Sequence, residues 1–136
     1  MDLDAARKLL RENHRSVLAT TRSDGRPQLS PVVHALDDQG SVIISSRETA
    51  YKVRNLRRNP AASLCAFPDN FFGQWVQVDG HAGISSLPGA MDLLVDYYRQ
   101  LSGEHPDWDE YRAAMVRDRR LLIRITLERA GPDRSG

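Results

Sequence analysis

The 136 residues predict a mainly β domain with peripheral helices, in which about six antiparallel strands close on themselves as a small barrel. Three observations carry that expectation. Short β-branched and apolar runs joined by tight turns fill the first two thirds of the chain. Two helix-period segments then delay one last strand. No repeat, linker or low-complexity stretch divides the sequence, so residues 1–136 read as a single domain. Closing such a sheet into a barrel removes the exposed edges that would otherwise invite aggregation.

In "LDAARKLLREN", Leu3, Ala6, Leu9 and Leu10 fall on one helical face with charges elsewhere, which predicts a first helix. "RSVLATTR" reads as a strand and ends at "SDGRP", where Asp24-Gly25 signals a hairpin turn. "QLSPVVHALD" is the return strand, and Pro31, which has no N–H to give a ladder, marks an edge, a bulge or a bend. After the turn "DDQG" comes the strand "SVIISS", followed by a helical segment within 49–59 that Pro60 closes. "ASLCAF" and "WVQVDGHAGI" are two further strands, with Gly80 at a bulge or tight bend. "LPGAMDLLVDYYRQL" and "PDWDEYRAAMV" are helical, "RLLIRITLE" is the last strand, and "GPDRSG" is a frayed polar end.

Lys52 is one of only two lysines in the chain, and its position is unusual. Ala50, Val53 and Leu56 recur at helical spacing, Thr49 is an acceptable N-cap, and Lys52 and Asn55 lie three apart on a neighbouring face. Helical side chains lean toward the N-terminus, so Lys52 projects back to the first turn. There the free N–H groups and the positive end of the dipole meet Ser45, Ser46 and Arg47, a good seat for a phosphate. A solvated helix charge is the alternative, and these residues alone leave both readings open.

Composition limits the remaining function classes. A net charge of +1 lacks the field of a general nucleic-acid binder, so any anion site is local. No apolar run approaches the roughly 20 residues that span a bilayer, and the charged start "MDLDAARKLLRENH" lacks a secretory h-region, so a cytoplasmic address and no membrane partner are expected. The single Cys65 forms no internal disulfide and reads as a buried structural thiol. His14, His34, His81 and His105 show no ligand spacing, so no metal site is expected. Tyr97, Tyr98, Trp108 and Tyr111 fall in helical segments as packing residues, and "RNLRR" lacks interleaved aromatics and reads as a solvated helix face.

"SVLATTRSDGRPQLSPVVHALD", "SVIISSRETAYKVRNLRRNPAASLCAF", "WVQVDGHAGI" and "DRRLLIRITLERA" together resemble the pyridoxamine-phosphate-oxidase-like split β-barrel oxidoreductases, over nearly the whole chain and in the right order. "DGRPQ" followed by "KVRNLRRNP" is most similar to the branch that uses the deazaflavin F420. The resemblance implies a homodimer of six-stranded Greek-key split barrels with cofactor sites at the subunit interface. It implies that Lys52 holds the cofactor phosphate, with Ser45, Ser46 and Arg47 around it and Asn55 bracing the same face. Gln28 and Ser30 match ring-lining positions, while Trp75 and Gln77 approach ring or tail from the partner. Some F420-binding relatives carry a basic residue where this chain has Ala50; here the basic residue is Arg47. F420 carries a phosphate and a glutamate tail, for which Arg47, Lys52, Arg54 and Arg57 could form a positive lane. Hydride transfer to a conjugated small molecule needs no general acid that the sequence must supply, and no catalytic residue is assigned. FMN on the same barrel and a non-enzymatic F420 carrier are the alternatives. The loop 68–74, "PDNFFGQ", and the helical insert 88–118 would set the substrate.

Overall fold

A computed structural model describes residues 1–133 as four helices and seven strands: α1 Leu3–Glu12, β1 Arg15–Thr21, β2 Pro27–Val33, β3 Ala35–Leu36, β4 Val42–Arg47, α2 Tyr51–Arg58, β5 Ala61–Ala66, β6 Val76–Ser86, α3 Met91–Ser102, α4 Trp108–Arg117 and β7 Arg120–Gly131. The strands form one antiparallel sheet in the order β2-β1-β5-β6-β7-β4-β3. Its two edge strands, β2 and β3, are consecutive in the chain and separated by His34 alone. A single residue cannot cross a flat seven-stranded sheet, so the sheet must curl until its edges meet. That is the physical content of a split barrel.

The expected count of six strands is corrected to seven at this corner. The run "QLSPVVHALD" alternates like one strand, yet it breaks at His34, whose ring turns into the interior with 0% exposure. Ser16 Oγ lies 2.8 Å from His34 Nδ1, and His34 Nε2 lies 3.0 Å from the Leu10 carbonyl. The Leu10 oxygen can only accept, so Nε2 carries the proton and Nδ1 accepts from Ser16. Pro31 fits as expected, since β2 is an edge strand.

The main core fills the barrel, with Leu18, Val42, Ile44, Leu64, Leu121 and Ile123 at 0–1% exposure. Helix α1 adds Ala6 and Leu10 to it, and α2 adds Val53 and Leu56. A smaller cluster lies outside the sheet, where α3 and α4 press Leu94, Val95 and Tyr111 onto Ala35, Ile43 and Leu122. Tyr98, His105, Trp108 and Tyr111 stack there with centroids 5.1–5.7 Å apart, which is packing as the helical pattern predicts. The hairpin turn forms at Asp24-Gly25, where Gly25 has φ +88 and Asp24 accepts from the Arg26 amide.

The bulge expected at Gly80 is present as a register shift between Asp79 and Gly80. Asp79 faces Arg129 while Gly80 faces Leu127, so the extra residue is Glu128 of β7. Gly80 is required because a Cβ there would stand 2.0 Å from the Thr126 carbonyl oxygen. The frayed end expected at 131–136 lies beyond the described residues from 134 on, and Gly131 still belongs to β7.

Burial lowers the His34 pKa from 6.5 to about 4, assisted by the nearby His14 and opposed by the backbone contacts to Leu10 and Asn13. The unfolded chain therefore binds this proton first as pH falls. Stability is full above pH 6.5, declines by roughly 3 kcal/mol toward pH 4, and levels off below that. Urea unfolding as a function of pH measures this, and His34→Gln should flatten the slope between the two values.

Candidate functional site

The nine residues singled out by sequence separate into three places. At the first, the end of β4 meets the start of β7 and the open end of α2. Strand alternation places Ser45 and Arg47 on one face of β4 and turns Ser46, 3% exposed, toward the barrel interior beside Val42 and Ile44. Of the three residues expected around Lys52, Ser45 and Arg47 share one face of β4 and Ser46 takes the other. Directly opposite Arg47 in the ladder stands Arg120. Like charges so paired repel. Lys52 sits on the arc of α2 between the buried Asn55 and Leu56 and is half-buried itself. Its pKa is lowered, first by burial and then by repulsion from Arg120. Among the described residues, none of Arg47, Lys52 and Arg120 forms an ion pair.

The helix end beside them is also open. Thr49 was the expected N-cap; the cap is Ala50, with no side-chain hydrogen bond, because Ala50 packs on the main core and starts the helix one residue later. The Tyr51 and Lys52 amides find no acceptor among the described residues. Three cations and two free N–H groups thus gather at one helix end with no carboxylate paired to them among the described residues.

The second place is a cleft of about 390 Å³ between the β1–β2 turn and α2, lined by Arg22, Asp24, Gln28, Tyr51, Arg54 and Arg58 among others. Asn55, 5% exposed, donates to Thr20 Oγ1 at 3.1 Å and to Gln28 Oε1 at 2.9 Å, and accepts from Arg58 at 3.2 Å. It clamps Gln28 in place. Asn55 lies about 60° around α2 from Lys52, and its side-chain hydrogen bonds go to the β1–β2 hairpin and Arg58. Ser30 is 9% exposed and shares the inner side of β2 with Gln28, so of the two only Gln28 lines the cleft. Arg57 of the expected positive lane is taken: it donates to Glu48 at 2.8 Å, and Glu48 also accepts from Ser86 at 2.6 Å. Those contacts, Ser86 foremost, lower the Glu48 pKa.

The third place is an apolar groove of about 640 Å³ on the outer face of β2, β1, β5 and β6, roofed by the loop that carries Phe71 and Phe72. Trp75 and Gln77 line it beside Val17, Ala19, Leu29 and Cys65. Cys65, expected to be fully buried, is half-buried on this wall, and its thiol pKa is raised by burial. The homodimer that the resemblance implies would cover apolar strand faces, for which the runs "SVIIS" and "WVQV" are candidates. Val42, Ile43, Ile44, Val76 and Val78 are instead covered within the chain, and the exposed apolar residues include Leu29, Val33, Phe71 and Phe72. Arg120 escaped the sequence reading because the β4–β7 pairing that positions it is non-local. Its one sequence signal is the alternation of "RLLIRI", which shares a face between Arg120 and Leu122.

The profile of the family described as Pyridoxamine 5'-phosphate oxidase matches residues 3–131. The chain belongs to this family. The expected pyridoxamine-phosphate-oxidase-like split barrel is therefore established. Similar solved structures include a conserved hypothetical protein from Mycobacterium tuberculosis, 23% identical over 96% of this chain and 82% of that one with a TM-score of 0.78. An F420 reductase is 21% identical over 91% of this chain and 94% of its own, with a TM-score of 0.71. HutZ, the heme storage protein from Vibrio cholerae, is 18% identical over 96% and 94%, with a TM-score of 0.68. At these identities the likeness speaks for the fold. Among the described residues no helix is long and apolar enough to cross a membrane, and no three potential ligands cluster around a metal position.

For this member of the Pyridoxamine 5'-phosphate oxidase family, the cation cluster has a cost in the free protein. Lys52→Met should leave the stability, read as a melting temperature, unchanged or raise it by up to about 1 kcal/mol of relieved repulsion. Inorganic phosphate should raise the melting temperature of the parent and do less for the variant. A fall of several degrees in the variant would mean that Lys52 serves the fold.

Proposed function

We propose that the protein is a cytoplasmic F420H2-dependent reductase that passes a hydride to a conjugated small-molecule acceptor and works as a homodimer. The observation that carries this reading is the unpaired cluster of Arg47, Lys52 and Arg120 at the uncapped start of α2, in which Lys52 and Arg120 are half-buried and Arg47 is exposed. Burying charge without a partner is unfavourable, so such a cluster is retained where an anion completes it. The residues fit the anionic part of the cofactor: Lys52, Arg47 and Arg120 would hold the phosphate with the Tyr51 and Lys52 amides. Arg22, Arg54 and Arg58 in the adjoining cleft suit the glutamate carboxylates better than the paired Arg57. When bound, the cofactor supplies the hydride. The chain's own residues bind, orient and keep water away, and the apolar groove with Trp75 and Gln77 suits a flat acceptor. Covering Leu29, Val33, Phe71 and Phe72 with a second copy would close that groove.

A second reading, FMN on the same barrel, draws on the same cations, since one phosphate suffices to complete them. A third, a carrier without turnover, has a precedent of kind in the heme storage protein of similar fold. Titrations with F420 and FMN followed by fluorescence separate the first two, and turnover with a conjugated acceptor separates the third. Lys52→Ala should weaken F420 binding by roughly 1.5–3 kcal/mol, about 10- to 150-fold.

Raising salt from 0.1 M to 1 M shortens the Debye length from about 10 Å to about 3 Å and should weaken F420 more than FMN. Replacing Arg22 and Arg54 together by Ala should remove the excess salt sensitivity. Equal responses from both cofactors would favour FMN. Light scattering should give twice the 15.3 kDa chain mass, and a monomer would remove the partner from the site.

A further inference from the structure

At one end of the apolar groove a chain of hydrogen bonds fixes which atom of an amide a ligand can meet. Asp79 Oδ1 accepts from Ser63 Oγ at 2.7 Å and from Gln77 Nε2 at 3.1 Å, while Asp79 Oδ2 accepts from Arg129 Nε at 3.1 Å and Nη2 at 2.9 Å. Burial favours protonation of this carboxyl, but the hydrogen bonds from Ser63, Gln77 and Arg129 outweigh it and lower the pKa. An ionised carboxylate only accepts, so the Gln77 amide must turn its NH2 toward Asp79. Its Oε1 has no partner among the described residues, and Gln77 lines the groove.

We infer that Asp79 is a positioning residue that sets Gln77 as a hydrogen-bond acceptor at the end of the groove, so that the groove selects flat aromatic ligands carrying an O–H or N–H donor at one edge. The inference deepens the acceptor-site reading and rests on it for the groove's role. The arrangement is polar in a defined sense. Arg129 only donates, so in Asp79→Asn the new amide must keep its oxygen toward Arg129 and present its NH2 to Ser63 and Gln77. Gln77 then turns its oxygen to residue 79 and its NH2 to the groove. One substitution thereby exchanges an acceptor for a donor at the ligand's edge while changing no residue that lines the groove.

Three probes of one size test this by calorimetry on the full protein: 2-naphthol, a donor; isoquinoline, an acceptor; and naphthalene, neither. The parent should bind 2-naphthol about three- to tenfold more tightly than isoquinoline, the worth of one neutral hydrogen bond. Asp79→Asn should reverse that order, with naphthalene unchanged. A variant that binds all three in the parent's order overturns the role of Asp79 while leaving the groove as a ligand site. Failure of the parent to bind any of the three overturns the inference and the groove reading together. If Asp79→Asn does not fold, Gln77→Leu serves: it should bind naphthalene as before and lose the preference, and a retained preference refutes the assignment.

Discussion

Everything in this fold depends on a one-residue passage between the two edges of its sheet. His34 carries the chain from β2 to β3, and that step is possible only if the sheet has curled almost shut. The ring then does what a ladder would do elsewhere. It ties β1 through Ser16 to α1 through Leu10, while the His34 amide donates to the His14 carbonyl at 2.9 Å and His14 Nδ1 donates back to the His34 carbonyl at 2.9 Å. A small polar knot thus stands in for backbone pairing where the barrel is split. Because a buried imidazole is neutral, the closure holds best where solvent does not force a proton onto it.

The proposed anion seat is built from the opposite choice. Where the interior pairs every polar group, and no buried side-chain nitrogen or oxygen among the described residues lacks a partner, the corner of β4, β7 and α2 gathers cations without carboxylates. On the proposed function, the fold gives up some stability there to stay ready for a ligand. The neighbouring Arg57, paired with Glu48, shows the other outcome: with a carboxylate supplied by the chain, an arginine on the same helix becomes part of the scaffold. Arg47 and Arg57 flank the same helix start and yet have different fates, decided by what folds beside them.

Much of this was legible before any coordinates. The order of elements, the edge position announced by Pro31, the glycine bulge and the singular Lys52 all follow from local rules of pattern and turn chemistry. What the sequence hid is non-local. "QLSPVVHALD" alternates smoothly, and nothing in it says that His34 will turn inward to meet Ser16. Arg120 becomes a neighbour of Arg47 only through a pairing 73 positions long in chain terms, counted from residue 47 to residue 120. The inward turn of Ser46 needs strand parity, and the bonds of Asn55 to Thr20 and Gln28 need the element that packs on α2, neither of which residue chemistry alone supplies.

Parity also governs the far end of the sheet. Leu127 and Arg129 are two apart on β7 and would share a face in an unbroken strand, yet Leu127 is buried at 6% exposure while Arg129 reaches Asp79 on the outer surface. Glu128, the unpaired residue of the bulge, absorbs the difference. Without it, Leu127 and the arginine would be adjacent and on opposite faces by plain alternation, with Leu127 still opposite Gly80 and the arginine still opposite Asp79. The ladder would close in the same register, and what would be lost is the local bend and added twist that a bulge gives its strand, together with the exposed contact between Glu128 and His81. Glu128 thus shapes the end of β7 and leaves its pairing as it would otherwise be.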